Sequence, residues 1–132
     1  APRSCRNPTI RAHASACADC GNGLYSDGEG FQQCKLCPAG KFSNTTRATT
    51  CTPCPRGSSQ PLLGQSACVP CAAGTAQNAP GQDACGECAA GTFSARTGLS
   101  VCDKCAVGRY QNLVGKSSCS PWCVSLCFAL TC

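Results

Sequence analysis

Cysteine recurs in this chain with a fixed period, and that period limits the fold more tightly than any other feature. C-x-x-C pairs fall at Cys17/Cys20, Cys34/Cys37, Cys51/Cys54, Cys68/Cys71, Cys85/Cys88 and Cys102/Cys105, and the next Cys is Cys119. Every step is 17 residues, without insertion or deletion. A period of this kind marks an array of one small unit, whose copies must lean on each other because none can bury its own apolar face.

The unit carries more than cysteine. Counting from the second Cys of each pair as position 0, position +3 is always Gly: Gly23, Gly40, Gly57, Gly74, Gly91 and Gly108. Position +10 is Gly30, Gly64, Gly81, Gly98 and Gly115, with Arg47 as the exception. Position +5 is aromatic in four units (Tyr25, Phe42, Phe93, Tyr110) and is Ser59 and Ala76 in the two middle ones. Position +6 is always Ser or Gln. The first Gly is expected to supply a positive-φ turn just after a cross-link. The aromatic, the one large apolar group per unit, is expected to start a short extended segment and to lie over the disulfide of its own or the next unit. The second Gly turns the chain back, so that the segment ending at the next Cys pairs with the first as a hairpin with strands of three or four residues. Two Gly per unit argue against helix.

Composition explains why such a chain needs cross-links. Leu, Ile, Val and Phe make only 18 of 132 residues, below what usually builds a packed core. Ordering the chain costs on the order of 1.5 kcal/mol per residue, which so few large side chains cannot offset. The 17 Cys put the chain above the roughly 8–10% that marks a disulfide scaffold, and such chains belong to oxidising compartments. An extracellular or cell-surface location is therefore expected. The last apolar run, Val124 to Cys132, is short of the ~20 residues a bilayer span needs. Net charge is +5. Apart from Arg3, Arg6 and Arg11 the basic residues are scattered singly, without the interleaved aromatics of a nucleic-acid surface.

The text Cys34-Lys-Leu-Cys37-Pro-Ala-Gly40-Lys-Phe42-Ser43, and again Cys85-Gly-Glu-Cys88-Ala-Ala-Gly91-Thr-Phe93-Ser94, resembles the ephrin-receptor-like cysteine-rich repeats, relatives of the EGF and tumour-necrosis-factor-receptor modules. Similar arrays occur in protist surface antigens and flagellar-hair proteins. The resemblance runs over residues 17–119. It implies that the second Cys of each pair joins the first of the next: Cys20–Cys34, Cys37–Cys51, Cys54–Cys68, Cys71–Cys85, Cys88–Cys102 and Cys105–Cys119. Cys5 and Cys17 would then pair at the N-terminal end, leaving Cys123, Cys127 and Cys132 free or bridged to another chain. This sequence departs from the family in two ways: its loop length is constant, and its C-terminus leaves the pattern. The four-residue spacing of Cys119, Cys123 and Cys127 could place three thiols on one helical face, as a cap or junction.

Two other readings of C-x-x-C stand beside disulfides. Zinc ribbons use the same pairs, but the 13-residue spacer is short, no His accompanies the pairs, and even spacing does not say which pairs would share an ion. A redox dithiol needs a βαβ context that this sequence lacks. Catalysis has little to draw on: His13 is the only His, and the six acids, Asp19, Asp27, Glu29, Asp83, Glu87 and Asp103, fall at different points of the repeat. Asn44-Thr45-Thr46 is an N-glycan acceptor at an expected loop tip.

The resulting expectation is a small disulfide-rich fold: an elongated array of six 17-residue repeats with short β-hairpins. It has an N-terminal segment (1–16), the repeats (17–119) and an apolar, Cys-rich C-terminal cap or junction (120–132). No cofactor, metal, nucleic acid or membrane span is expected. The chain reads as a structural building block of an extracellular filament, appendage or stalk, partnered by copies of itself, other extracellular proteins or glycans. The alternative is a ligand-binding array of a receptor or adhesin, with the units around Ser59 and Ala76 as candidate contact sites.

Overall fold

The computed structural model describes residues 20–27 and 34–121. Five two-stranded antiparallel hairpins follow one another: β1 (Leu24–Tyr25) with β2 (Lys35–Leu36), β3 (Lys41–Phe42) with β4 (Thr52–Pro53), and β5 (Ser58–Ser59) with β6 (Val69–Pro70). The series continues with β7 (Thr75–Ala76) against β8 (Gly86–Glu87) and β9 (Thr92–Phe93) against β10 (Asp103–Lys104). In the sixth unit a single bridge between Tyr110 and Ser120 takes the place of a hairpin.

Each strand is two residues long, shorter than the three or four expected. The reason lies in the cross-links. The returning strand is the pair of residues between the two cysteines of C-x-x-C, as in the register Lys41↔Pro53 and Phe42↔Thr52. The cysteines therefore bound the strand instead of ending a longer one. The aromatic closes the first strand where it was expected to open it.

The six disulfides are Cys20–Cys34, Cys37–Cys51, Cys54–Cys68, Cys71–Cys85, Cys88–Cys102 and Cys105–Cys119, with Cα–Cα separations of 5.6 to 5.8 Å. This is the ladder that the resemblance implies. Cys5, Cys17, Cys123, Cys127 and Cys132 lie outside the described residues, as do His13 and the segment 1–16.

A tight turn opens every unit. The N–H at +4 donates to the carbonyl at +1, as in Lys41 to Pro38 at 3.1 Å and Thr75 to Ala72 at 3.0 Å. The Gly at +3 has φ between 79° and 87° in all six units, as the third residue of a type II turn requires. At +10, Gly64, Gly81, Gly98 and Gly115 are also left-handed, and Arg47 takes the same conformation with φ 62°.

Consecutive units are joined by a repeated set of backbone hydrogen bonds. The Gly N–H at +3 donates to the +6 carbonyl of the next unit: Gly23 to Ser43, Gly40 to Gln60, Gly57 to Gln77, Gly74 to Ser94 and Gly91 to Gln111, at 2.6 to 2.8 Å. The +6 N–H donates to the +11 carbonyl of the next unit, from Ser26 to Ala48 through Ser94 to Lys116. In return, the +10 N–H of the next unit donates to the carbonyl of the second Cys, from Arg47 to Cys20 through Gly115 to Cys88. All three bonds recur at all five junctions.

Contact does not stop at the nearest neighbour. A Cβ placed on Gly23, Gly40, Gly57 or Gly74 would collide with the backbone carbonyl of Gly64, Gly81, Gly98 or Gly115 respectively, two units further on. Each of the first four units is thus gripped by the two that follow it, a tighter arrangement than the nearest-neighbour stacking usual in repeat arrays.

Candidate interaction surface

The interior is made of sulfur and hydroxyl groups. Cys20, Cys37, Cys54, Cys71, Cys88 and Cys119 are buried, together with Ser43, Ser58, Ser59, Gln60 and Ser94. The aromatics Tyr25, Phe42, Phe93 and Tyr110 are only partly buried, so they flank the core and do not compose it. Their position faces the cross-link of the next unit. Ser59 Oγ lies 3.4 Å from Cys85 Sγ, and the equivalent pair two units on, Phe93 and Cys119, line one shallow cleft.

That geometry takes the Ser59 side chain, though not the rest of its unit, out of the accessible surface. Ser59 was expected to leave its unit with an unusual surface. It is 8% exposed and donates its hydroxyl toward the next disulfide, so it is a packing residue.

Position +6 holds the loop that follows it at Ser43, Gln60, Gln77, Ser94 and Gln111. Gln77 Nε2 donates to the Ala84 carbonyl at 2.7 Å while its Oε1 accepts from Ala79 N–H at 3.1 Å. Gln60 does the same with Ala67 and Leu62, and Gln111 with Ser118 and Leu113. Ser43 and Ser94 make the shorter clamp, donating to the carbonyls of Thr45 and Arg96. The sequence displayed this position without revealing its task. A polar residue fixed in register before a loop of constant length was the available signal.

The outer surface is uneven in charge. Lys35 Nζ contacts the Asp27 carboxylate at 2.8 Å. The Lys35 hydrogen bond holds the Asp27 carboxyl below its usual range, and Asp27 holds the Lys35 ammonium above its own. Residues 57–82 contain no Asp, Glu, Lys, Arg or His, and within them Leu62, Leu63 and Val69 are exposed. Ala76, the second candidate contact residue, is half-buried in this stretch. Asn44 is exposed beside the turn that leads to Arg47.

Among the described residues, sulfurs meet in twos as disulfides, and no group of three or more His, Cys, Asp or Glu is placed to hold a metal ion. No helix among them is long and apolar enough to cross a membrane.

A uniform ladder of cross-linked hairpins defines a small disulfide-rich repeat module. The family model described as tyrosine-protein kinase ephrin type A/B receptor-like matches residues 9–50 and 40–88, more than half of the sequence, and the chain belongs to that family of cysteine-rich modules. No curated protein matches it. The cross-links and the family together fit an extracellular location.

Proposed function

We propose that the chain is a structural building block of an extracellular filament, surface appendage or stalk, that it joins further copies through its ends, and that it is not an enzyme. The observation that carries this reading is the identity of the five junctions. The same three backbone bonds recur at each, so every unit advances by the same step. A constant step suits regular end-to-end packing, and backbone bonding makes the step indifferent to side-chain sequence. Gripping by two following units adds stiffness, which a spacer needs and a loosely linked array lacks. Asn44 is read as the site of an N-glycan, which at an exposed turn would project away from the array.

A second reading has its own support. The uncharged stretch 57–82 with exposed Leu62, Leu63 and Val69 is where a receptor or adhesin array would contact a partner.

Negative-stain imaging of native material separates the two. Filaments or stalks of constant width are expected, and isolated short particles bearing a bound partner would favour the adhesin. A glycosidase that converts Asn44 to Asp, with the accompanying mass change, tests the glycan.

A further inference from the structure

We infer that the sixth unit presents an open backbone edge that receives the first unit of a second copy. This rests on the filament reading and names the atoms of its end contact. At the five inner junctions the +3 and +6 N–H groups and the carbonyl of the second Cys are satisfied by the next unit. In the sixth unit the corresponding groups are Gly108 N–H, Gln111 N–H and the Cys105 carbonyl, and none of the three has a partner among the described residues. Burial follows the same logic. Gly23, Gly40, Gly57 and Gly74 are buried under the unit two places on, whereas Gly91 and Gly108 are exposed and have no atom over the Cβ direction.

The sequence that follows is not a seventh unit. At the register positions of the second Cys, the +3 Gly and the +10 Gly it carries Trp122, Ser125 and Cys132. The first unit of another copy does fit. It has the full motif, and its +6 carbonyl, on Ser26, accepts no bond among the described residues. Continuing the step, Gly108 N–H donates to Ser26 of the second copy. The carbonyl of that copy's Arg47 then lies over Gly108, as Gly81 lies over Gly40. Arg47 keeps the left-handed backbone of the glycines at its position, so its carbonyl is presented in the same way. A head-to-tail contact of this type does not close, and it propagates as a filament.

Static light scattering of the oxidised 132-residue chain over a concentration series tests the contact. Wild type should grow well beyond a dimer. Gly108→Ala, with its six disulfides confirmed by non-reducing mapping, should stay a single chain because its Cβ meets the incoming carbonyl. Leu62→Ser, mid-array, should behave as wild type. Cross-linking between isotope-labelled and unlabelled wild-type copies should join Lys104 or Lys116 to Lys35 or Lys41. If Gly108→Ala assembles as well as wild type, or cross-links join like ends, this interface is wrong while the filament reading stands. If wild type stays single at every concentration, the interface is also wrong, and imaging of native material then decides the filament reading separately.

Discussion

Gly40 lies directly under the backbone carbonyl of Gly81, two units further along, with no room for a Cβ between them. The same contact joins Gly23 to Gly64, Gly57 to Gly98 and Gly74 to Gly115. It gives the +3 glycine two separate duties. The turn demands positive φ, and the stacked carbonyl demands that nothing project from the α-carbon.

These duties can be measured apart. Gly91 shares the φ of Gly40, 82° against 79°, but has nothing within reach of a Cβ. Gly91→Ala should cost only the left-handed penalty, about 1–2 kcal/mol. Gly40→Ala should cost more than ~4 kcal/mol, in the range reserved for clashes that the backbone cannot relieve. Denaturant melts of the two oxidised variants give the comparison, and equal losses would mean that the two-unit contact carries no energy.

Gln77 clamps its loop through two hydrogen bonds. At about 0.5–1.5 kcal/mol each, Gln77→Ala should lose ~1–3 kcal/mol. Gln77→Ser should lose less, because Ser43 and Ser94 hold their loops with a single bond. Thermal melting resolves the order, and a neutral Gln77→Ala would show that the clamp is dispensable.

Phe93 is partly buried against the next cross-link, so Phe93→Ala should cost about 1–2 kcal/mol, below the 3–5 typical of a fully buried ring. The same melting experiment checks it. No change at all would make the aromatic column a surface feature suited to binding.

Removing one cross-link, with Cys54→Ser and Cys68→Ser together, frees a 15-residue loop and should cost about 3 kcal/mol. Hydrogen exchange should rise in the unit concerned and in the one before it, since that unit's backbone bonds end there.

The pair Asp27–Lys35 sets a local pH dependence. The folded carboxyl titrates below its unfolded value, so its contribution is complete above the unfolded value and fades as pH falls through the folded one. The folded ammonium titrates above its unfolded value, so its contribution is complete below the unfolded value and fades as pH rises through the folded one. Both groups are exposed and the effect is small. NMR titration should find the Asp27 midpoint lowered in the wild type and restored by Lys35→Met.

The period, the positive-φ turn at +3, the chain reversal at +10 and the module type were legible in the sequence because each leaves a residue-type mark. The double duty of the +3 glycine was not, since a glycine required for space is written with the same letter as one required for φ. Arg47 held the clue. A side chain is tolerated at +10, where the facing atoms belong to side chains such as Leu36, whereas over Gly23, Gly40, Gly57 and Gly74 at +3 they belong to backbone. The aromatics were expected to lie over the disulfides because they are the one large apolar group in each unit that has them. The disulfides themselves fill the interior, and the rings are left at its rim. Likewise Ser59 read as a missing aromatic, when its hydroxyl occupies the space beside Cys85.

Adding units measures the uniform step that the backbone bonds hold. Residues 55–71 can be inserted once, twice and three times after Cys71, keeping every cross-link in phase. X-ray solution scattering from the oxidised chains, at concentrations where each is single, then gives their maximum dimensions. Each added unit should lengthen the molecule by the same increment. Increments that shrink with each insertion, as the square-root growth of a flexible chain requires, would contradict it.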